Sequence, residues 1–281
     1  MSVVTVGRAA SRPKGRFFRQ PNRTDGRYRR DQRQPKLVPM TPPIIETRGL
    51  TKRFGARTAV RDLNLTVPAG CAFGFLGHNG AGKTTVIRML VSLTRPSSGT
   101  ISIAGQPLAS HREQVLGRVG AIIEEPRFHR HLTGRENLQV IAAARGPQAR
   151  RRIEPALERC GLSARGDDRV GTYSQGMRQR LGIARCLLAD PKLVILDEPM
   201  NGLDPGGILE LRGLIADLVA EGRTVFVSSH LLTEIEKTCH AAAVIDRGQL
   251  IAQGSITDLI GDAGTLEDRF LGLTSRAGDH A

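Results

Sequence analysis

Tryptophan is absent from this 281-residue chain, tyrosine occurs twice, and aromatics make up only 4%. A surface that stacks sugars or bases is therefore not expected. No apolar run approaches the roughly 18 residues that a membrane-spanning helix needs. The N-terminus is basic but lacks the apolar core of a secretory signal, so none is expected. The four cysteines, Cys71, Cys160, Cys186 and Cys239, are widely separated and form no CxxC pair. That pattern argues against a disulfide frame or a zinc site and fits a reducing cytosol.

What is present is basic charge, unevenly spread. Of the net +14, residues 1–40 carry 11 Lys and Arg against 2 Asp, and the other 241 residues carry 30 against 25. The chain thus reads as a modestly basic body with a strongly basic tail. Residues 1–43 are rich in Arg, Gln, Pro and Asn and poor in aliphatics. They cannot bury enough surface to offset ordering entropy, and disorder is predicted there. Such a tail can be an arm for anionic lipid or nucleic acid, or an inert solvated extension. Met40 precedes Thr-Pro-Pro and the first strand-like run at Ile44–Glu46, so translation starting at Met40 is a third reading.

The body alternates strand-like and helix-like stretches. Cys71–Leu76, Leu193–Leu196 and Thr224–Val227 are continuous apolar runs, as expected for strands covered on both faces. Ala81–Leu93, Glu136–Ala144, Arg151–Cys160 and Gln175–Ala189 read as helices, with breaks at Pro147 and across residues 161–171. An α/β fold with a helical insertion is expected.

Between the first run and its helix lies Gly77-His78-Asn79-Gly80-Ala81-Gly82-Lys83-Thr84-Thr85, a GxxxxGK[ST] phosphate loop in the strand–helix context the motif requires. Glycines let backbone N–H groups curl around phosphate oxygens, and the helix adds its unsatisfied N–H groups and positive dipole end. Lys83 is placed for the β- and γ-phosphates and the Thr84 hydroxyl for Mg2+. A second signal is Leu193–Leu196 running into Asp197-Glu198-Pro199. Two carboxylates at a buried strand end suit one ligand of Mg2+, through water, at Asp197, and a group polarising the attacking water at Glu198.

Three more motifs follow: Tyr173-Ser174-Gln175-Gly176-Met177-Arg178-Gln179-Arg180, Asn201-Gly202-Leu203-Asp204, and Ser228-Ser229-His230. In this order the five motifs resemble the nucleotide-binding subunit of ATP-binding cassette (ABC) transporters, over about residues 44–262. The resemblance implies a P-loop NTPase (RecA-like) core with an antiparallel β subdomain, a helical subdomain at about 128–190, and a short C-terminal tail at 263–281. It implies ATP and Mg2+ as cofactors, hydrolysis of ATP, and head-to-tail pairing with a second nucleotide-binding subunit, here as a homodimer. Ser174 and Gly176 would then face the partner's γ-phosphate. The family pattern is LSGGQ; here Gln175 replaces its first Gly and Met177 its Gln. His230 resembles the switch histidine at the γ-phosphate, and Phe54 the aromatic that stacks on adenine. Asp204 is expected to order its loop, and the side chains of His78 and Asn79 are given no special role.

Many members of the family place a Gln that touches Mg2+ and the attacking water at the end of the strand after the P-loop helix. Alignment through Val119–Ile123 puts Glu124 there, as in the resembling subunits of bacitracin and lantibiotic self-protection exporters. The expected protein is a cytoplasmic ATPase, peripheral on the inner face of the cell membrane through a separate permease subunit, with no nucleic-acid partner. The short stretch after residue 262 leaves no room for a regulatory domain, and export of a peptide antibiotic, drug or lipid is expected. The alternative is an ABC-type ATPase acting on nucleic acid or ribosomes; one P-loop, one signature and no long coiled coil weigh against it.

Overall fold

A computed structural model describes residues 43–278. The basic segment expected to be disordered lies outside the described residues, except that Pro43 already opens a strand.

In chain order the elements are β1 (Pro43–Phe54), β2 (Arg57–Leu63), β3 (Thr66–Pro68), β4 (Ala72–Leu76), α1 (Lys83–Leu90), β5 (Ser98–Ile103), β6 (Gln106–Pro107), α2 (Arg112–Leu116) and β7 (Val119–Ile122). Four helices follow before the next strand: α3 (Gly134–Arg145), α4 (Pro147–Arg151), α5 (Ile153–Arg159) and α6 (Gln175–Leu187). The chain then runs through β8 (Leu193–Asp197), α7 (Pro205–Ala220), β9 (Thr224–Ser229), α8 (Leu232–Thr238), β10 (Ala241–Asp246), β11 (Gln249–Ser255), α9 (Ile256–Ile260) and α10 (Leu266–Gly278).

Two sheets result. The first pairs β2-β1-β5-β6 antiparallel, with β3 also on β1. The second has the order β11-β10-β4-β9-β8-β7, parallel except for β11 at one edge. Its central strands β4, β8 and β9 are buried at every residue and mostly apolar, as both faces are covered. Phe73, Phe75, Ile195, Phe226 and Ile245 face one core, shared with α1 and the antiparallel sheet. Leu76, Leu196, Val225, Val227 and Val244 face the other, shared with α6, α7 and the C-terminal helices. The strand period of two thus sends alternate residues to opposite cores. Phe226 stacks on Phe73 at 5.9 Å and tilts against Phe75 at 5.4 Å between ring centroids, each contact adding about 0.5–1.5 kcal/mol beyond burial.

The expected helices shift by up to three residues at their ends, and two other differences from the sequence expectation stand out. Pro147 opens α4 as its first residue instead of only ending a helix, because the first turn has no need of its missing N–H. The stretch expected as a short C-terminal tail carries the helix α10. The cysteines are free, and three are buried. Burial pushes the Cys71 and Cys186 thiols up to about 11, Cys160 to about 12 and Cys239 higher still. No helix among the described residues is long and apolar enough to cross a membrane.

Candidate nucleotide site

The site is made by three strand ends. β9 lies between β4 and β8, with Leu76 in register with Ser229 and Asp197 with Ser228. Parallel pairing therefore delivers the loop after β4, the acids at the end of β8 and the serines at the end of β9 to one edge of the sheet, where ligands of such sheets gather.

The loop Gly77–Gly82 is tight. A Cβ on Gly77 would stand 2.9 Å from the Ile245 side chain, and Gly82, at φ +110, would put one 2.8 Å from the Ala59 carbonyl oxygen. Only glycine lets the loop pass so close to β2 and β10. His78, Asn79 and Gly80 are exposed and Ala81 is buried. Lys83 is 5% exposed, and its ammonium donates to the carbonyls of Gly77 at 2.6 Å and His78 at 3.4 Å. Thr84 is half-buried, as is Thr85 next to it.

The acids are held by named partners. Asp197 is buried; it accepts the Thr84 hydroxyl at 2.9 Å and the Ser228 hydroxyl at 2.5 Å. Ser228 Oγ in turn accepts the Glu198 N–H at 3.0 Å. Glu198 sits at φ +48, a left-handed conformation that non-glycine residues rarely hold. Its Oε2 accepts from His230, through the ring Nδ1 at 2.9 Å and the backbone N–H at 3.3 Å. Its Oε1 lies 3.0 Å from the Lys83 ammonium as an ion pair, yet no donor is aligned on that buried oxygen. Lys83, Thr84, Asp197, Glu198 and His230 are thus one connected group.

These acids and Thr84 line a cavity of about 270 Å3 together with Glu124, Glu125, Gln175, Arg178, Gln179 and Asn201. Glu124, at φ +63, is at its rim, with its carboxylate bound to the Arg88 guanidinium of α1 at 2.6 Å. Its neighbour Glu125 also lines the cavity, its carboxylate 3.4 Å from the Arg178 guanidinium of α6. Ser174 and Gly176 do not line this cavity. Ser174 caps α6, its hydroxyl accepting the Met177 N–H at 3.2 Å, and is exposed. Phe54, at the end of β1, is 52% exposed, with the Lys52 ammonium 4.8 Å from its ring centre. Asp204 caps α7 through the Gly207 N–H at 3.0 Å.

A glycine cradle, a buried lysine at its mouth and a hydroxyl beside a buried carboxylate fit the phosphates of a nucleotide and a hard divalent cation. The family model for the ABC transporter domain matches residues 60–201. This chain is an ABC transporter ATP-binding protein. The bacitracin transport ATP-binding protein BcrA of Bacillus licheniformis is 47% identical over 211 residues, 75% of this chain and 69% of that one. Its namesake in Enterococcus faecalis is 44% identical over 217 residues, 77% and 70%. A solved ATP-binding subunit of an ABC transporter, 31% identical, superposes with a TM-score of 0.73 over 82% of this chain and 99% of its own. The ABC protein accordingly binds nucleotide on the P-loop NTPase fold and belongs to a family that hydrolyses ATP to power transport.

Two members of the site have roles that the sequence does not display. Ser228 stands there only within the Ser228-Ser229-His230 motif, and Arg88 belongs to no motif. Each is defined by a partner more than 30 positions away.

Proposed function

We propose that this protein is the ATPase of an export system: Mg2+-ATP pairs two copies head to tail, and the pair drives a separate membrane permease, placing the protein at the inner face of the cell membrane. The unit that does so is the body from residue 44 to about 262, its helical part inserted at about 128–190.

The observation that carries the reading is the connected group at the three strand ends. Lys83 holds the β- and γ-phosphates once nucleotide displaces Gly77 O and Glu198 from its ammonium. Thr84 and Asp197 hold Mg2+, which when bound neutralises phosphate charge and polarises the transferred phosphoryl group. Asp197 keeps its orientation through Ser228. Glu198 takes the proton of the attacking water; its buried oxygen without an aligned donor is the place for that water's hydrogen. His230 anchors the other carboxylate oxygen. The exposed ring of Phe54 supports adenine stacking, and Glu124 supplies a further oxygen at the cation once it leaves Arg88.

Pairing is supported by the position of the signature. Ser174 is exposed at the cap of α6, Gly176 is half-buried in its first turn, and neither lines its own chain's cavity, which supports a role for the Ser174 hydroxyl and the Gly176 N–H toward phosphates on another chain. The 44–47% identity to two bacitracin transport ATP-binding proteins supports a peptide antibiotic as cargo, ahead of a drug or lipid.

Two measurements test the reading. Light scattering on Glu198→Gln should show a dimer with Mg2+-ATP and a monomer without; a monomer in both would refute the pairing. Co-expression with its own permease in a bacitracin-sensitive host should raise the inhibitory concentration of bacitracin, and Glu198→Gln should abolish the rise. No rise with the unaltered protein would remove bacitracin as cargo.

A further inference from the structure

The helix α10 touches the nucleotide loop. Phe270 is 4% exposed, and its ring meets the His78 imidazole edge-on, 4.8 Å between centroids at 70°. His78 is the second residue of the loop and is otherwise exposed. Phe270 lies one turn beyond Leu266, which is 1% exposed, so the two share a buried face of α10.

The start of the helix is also fixed. The Thr265 hydroxyl accepts the Asp268 N–H at 3.1 Å and donates to the Asp268 carboxylate at 2.6 Å. The Leu266 N–H donates to Glu236 Oε2 at 3.1 Å. Glu236 belongs to α8, the helix that begins two residues after His230. One end of α10 is therefore tied to the helix behind His230, and its next turn rests on the phosphate loop.

We propose that α10 is a positioning strap for the P-loop. Phe270 packs on His78 and holds the exposed first half of the loop in its phosphate-binding shape, and the tie to Glu236 links that shape to α8. A loop held in its bound form loses less conformational freedom when nucleotide arrives. Phe270 touches no reacting atom, so its effect should fall on nucleotide affinity and not on the chemical step. The proposal rests on Gly77–Thr85 being the nucleotide site.

The experiment measures ATP displacement of a fluorescent ATP analogue, kcat and KM for hydrolysis, and amide hydrogen exchange across residues 77–82. The variants are Phe270→Ala, Phe270→Tyr, His78→Ala, the double variant Phe270→Ala with His78→Ala, and Lys83→Ala. Phe270→Ala should raise both Kd and KM for ATP roughly three- to tenfold, the scale of a lost aromatic edge contact. It should speed exchange in the loop and leave kcat unchanged. Phe270→Tyr keeps the ring and should restore affinity, and the double variant should be no worse than the stronger single one.

A fall in thermal stability with Kd and loop exchange unchanged would make Phe270 a packing residue and overturn the proposal. So would strictly additive losses in the double variant. If Phe270→Ala does not fold, His78→Ala decides, because His78 is exposed and tolerates truncation; an unchanged Kd there overturns the strap. Lys83→Ala separates the two levels. If it binds ATP like the unaltered protein, the site itself is misassigned, whatever Phe270 does.

Discussion

Replacing Glu198 by Gln should slow hydrolysis and, less obviously, tighten ATP binding. In the structure Oε1 of Glu198 sits 3.0 Å from the Lys83 ammonium, with only 6% of the lysine side chain and 20% of the glutamate exposed. At that distance and an effective dielectric of about 20 the raw attraction is roughly 5 kcal/mol. Desolvation of both groups cancels most of it, leaving about 1–2 kcal/mol. Nucleotide must overcome this pair before Lys83 can take a phosphate. The amide removes the competing charge while Oε1 or its replacement keeps the same shape. ATP affinity should therefore rise roughly five- to thirtyfold, the worth of 1–2 kcal/mol. Turnover should fall about 10²–10⁴-fold, the contribution of a positioned general base. Calorimetric titration with ATP gives the first number and a phosphate-release assay the second. Weaker binding would show that Glu198 does not compete for Lys83. Hydrolysis at the unaltered rate would remove it as the base.

Three further outcomes are expected. Glu124→Gln should free Arg88 and retain most hydrolysis but need more Mg2+, since hard cations prefer carboxylates; a Mg2+ titration of ATPase activity that overlays the unaltered curve would detach Glu124 from the cation. Gly82→Ala combines left-handed strain of about 1–2 kcal/mol with a Cβ 2.8 Å from Ala59 O, so ATP affinity should drop at least about tenfold. Gly80→Ala, at φ +84 but with open space around it, should lose less, and equal losses would contradict the steric account. Thiol titration at pH 8 should be slow in the native protein, because burial raises Cys71, Cys186 and Cys160 to about 11, 11 and 12, and immediate in guanidinium. Fast native labelling would mean the thiols are more exposed than the fold places them.

The sequence made the local features readable. A strand, a glycine loop and a helix follow one another within 20 residues, and the apolar runs of β4, β8 and β9 announce a sheet buried on both faces. Asp204 was readable as a residue that orders its loop, and it caps α7. What was not readable depends on register between distant strands. Nothing near Ser228 in the chain says that it sits opposite Asp197; that follows from β8 pairing with β9. Arg88 looks like a solvated basic residue near the end of α1 until Glu124 is found beside it. The helix α10 had local signals, a capping Thr265 and Leu266 with Phe270 one turn apart, but its landing place on His78 is a tertiary fact.

The order β10-β4-β9-β8-β7 has a consequence for how the protein comes into being. The strand that carries the P-loop has no central neighbour until much later chain has been made: the Gly70 N–H bonds Thr224 Oγ1, 154 positions on, and Thr84 meets Asp197 113 positions on. During synthesis the first half of the molecule can form the antiparallel sheet, whose contacts are nearby in sequence. The apolar strand β4 can lay Phe73 and Phe75 on α1 and that sheet, but it waits for β9 and β10 with both edges unpaired and its other face open, and such a strand is exposed to aggregation and to chaperones. Hydrolysis cannot begin early, because Asp197, Glu198, Ser228 and His230 have not yet emerged. Competence for hydrolysis thus arrives late, after the chain has passed residue 230, when β9 slots between its two older neighbours and β10 closes the other side of β4.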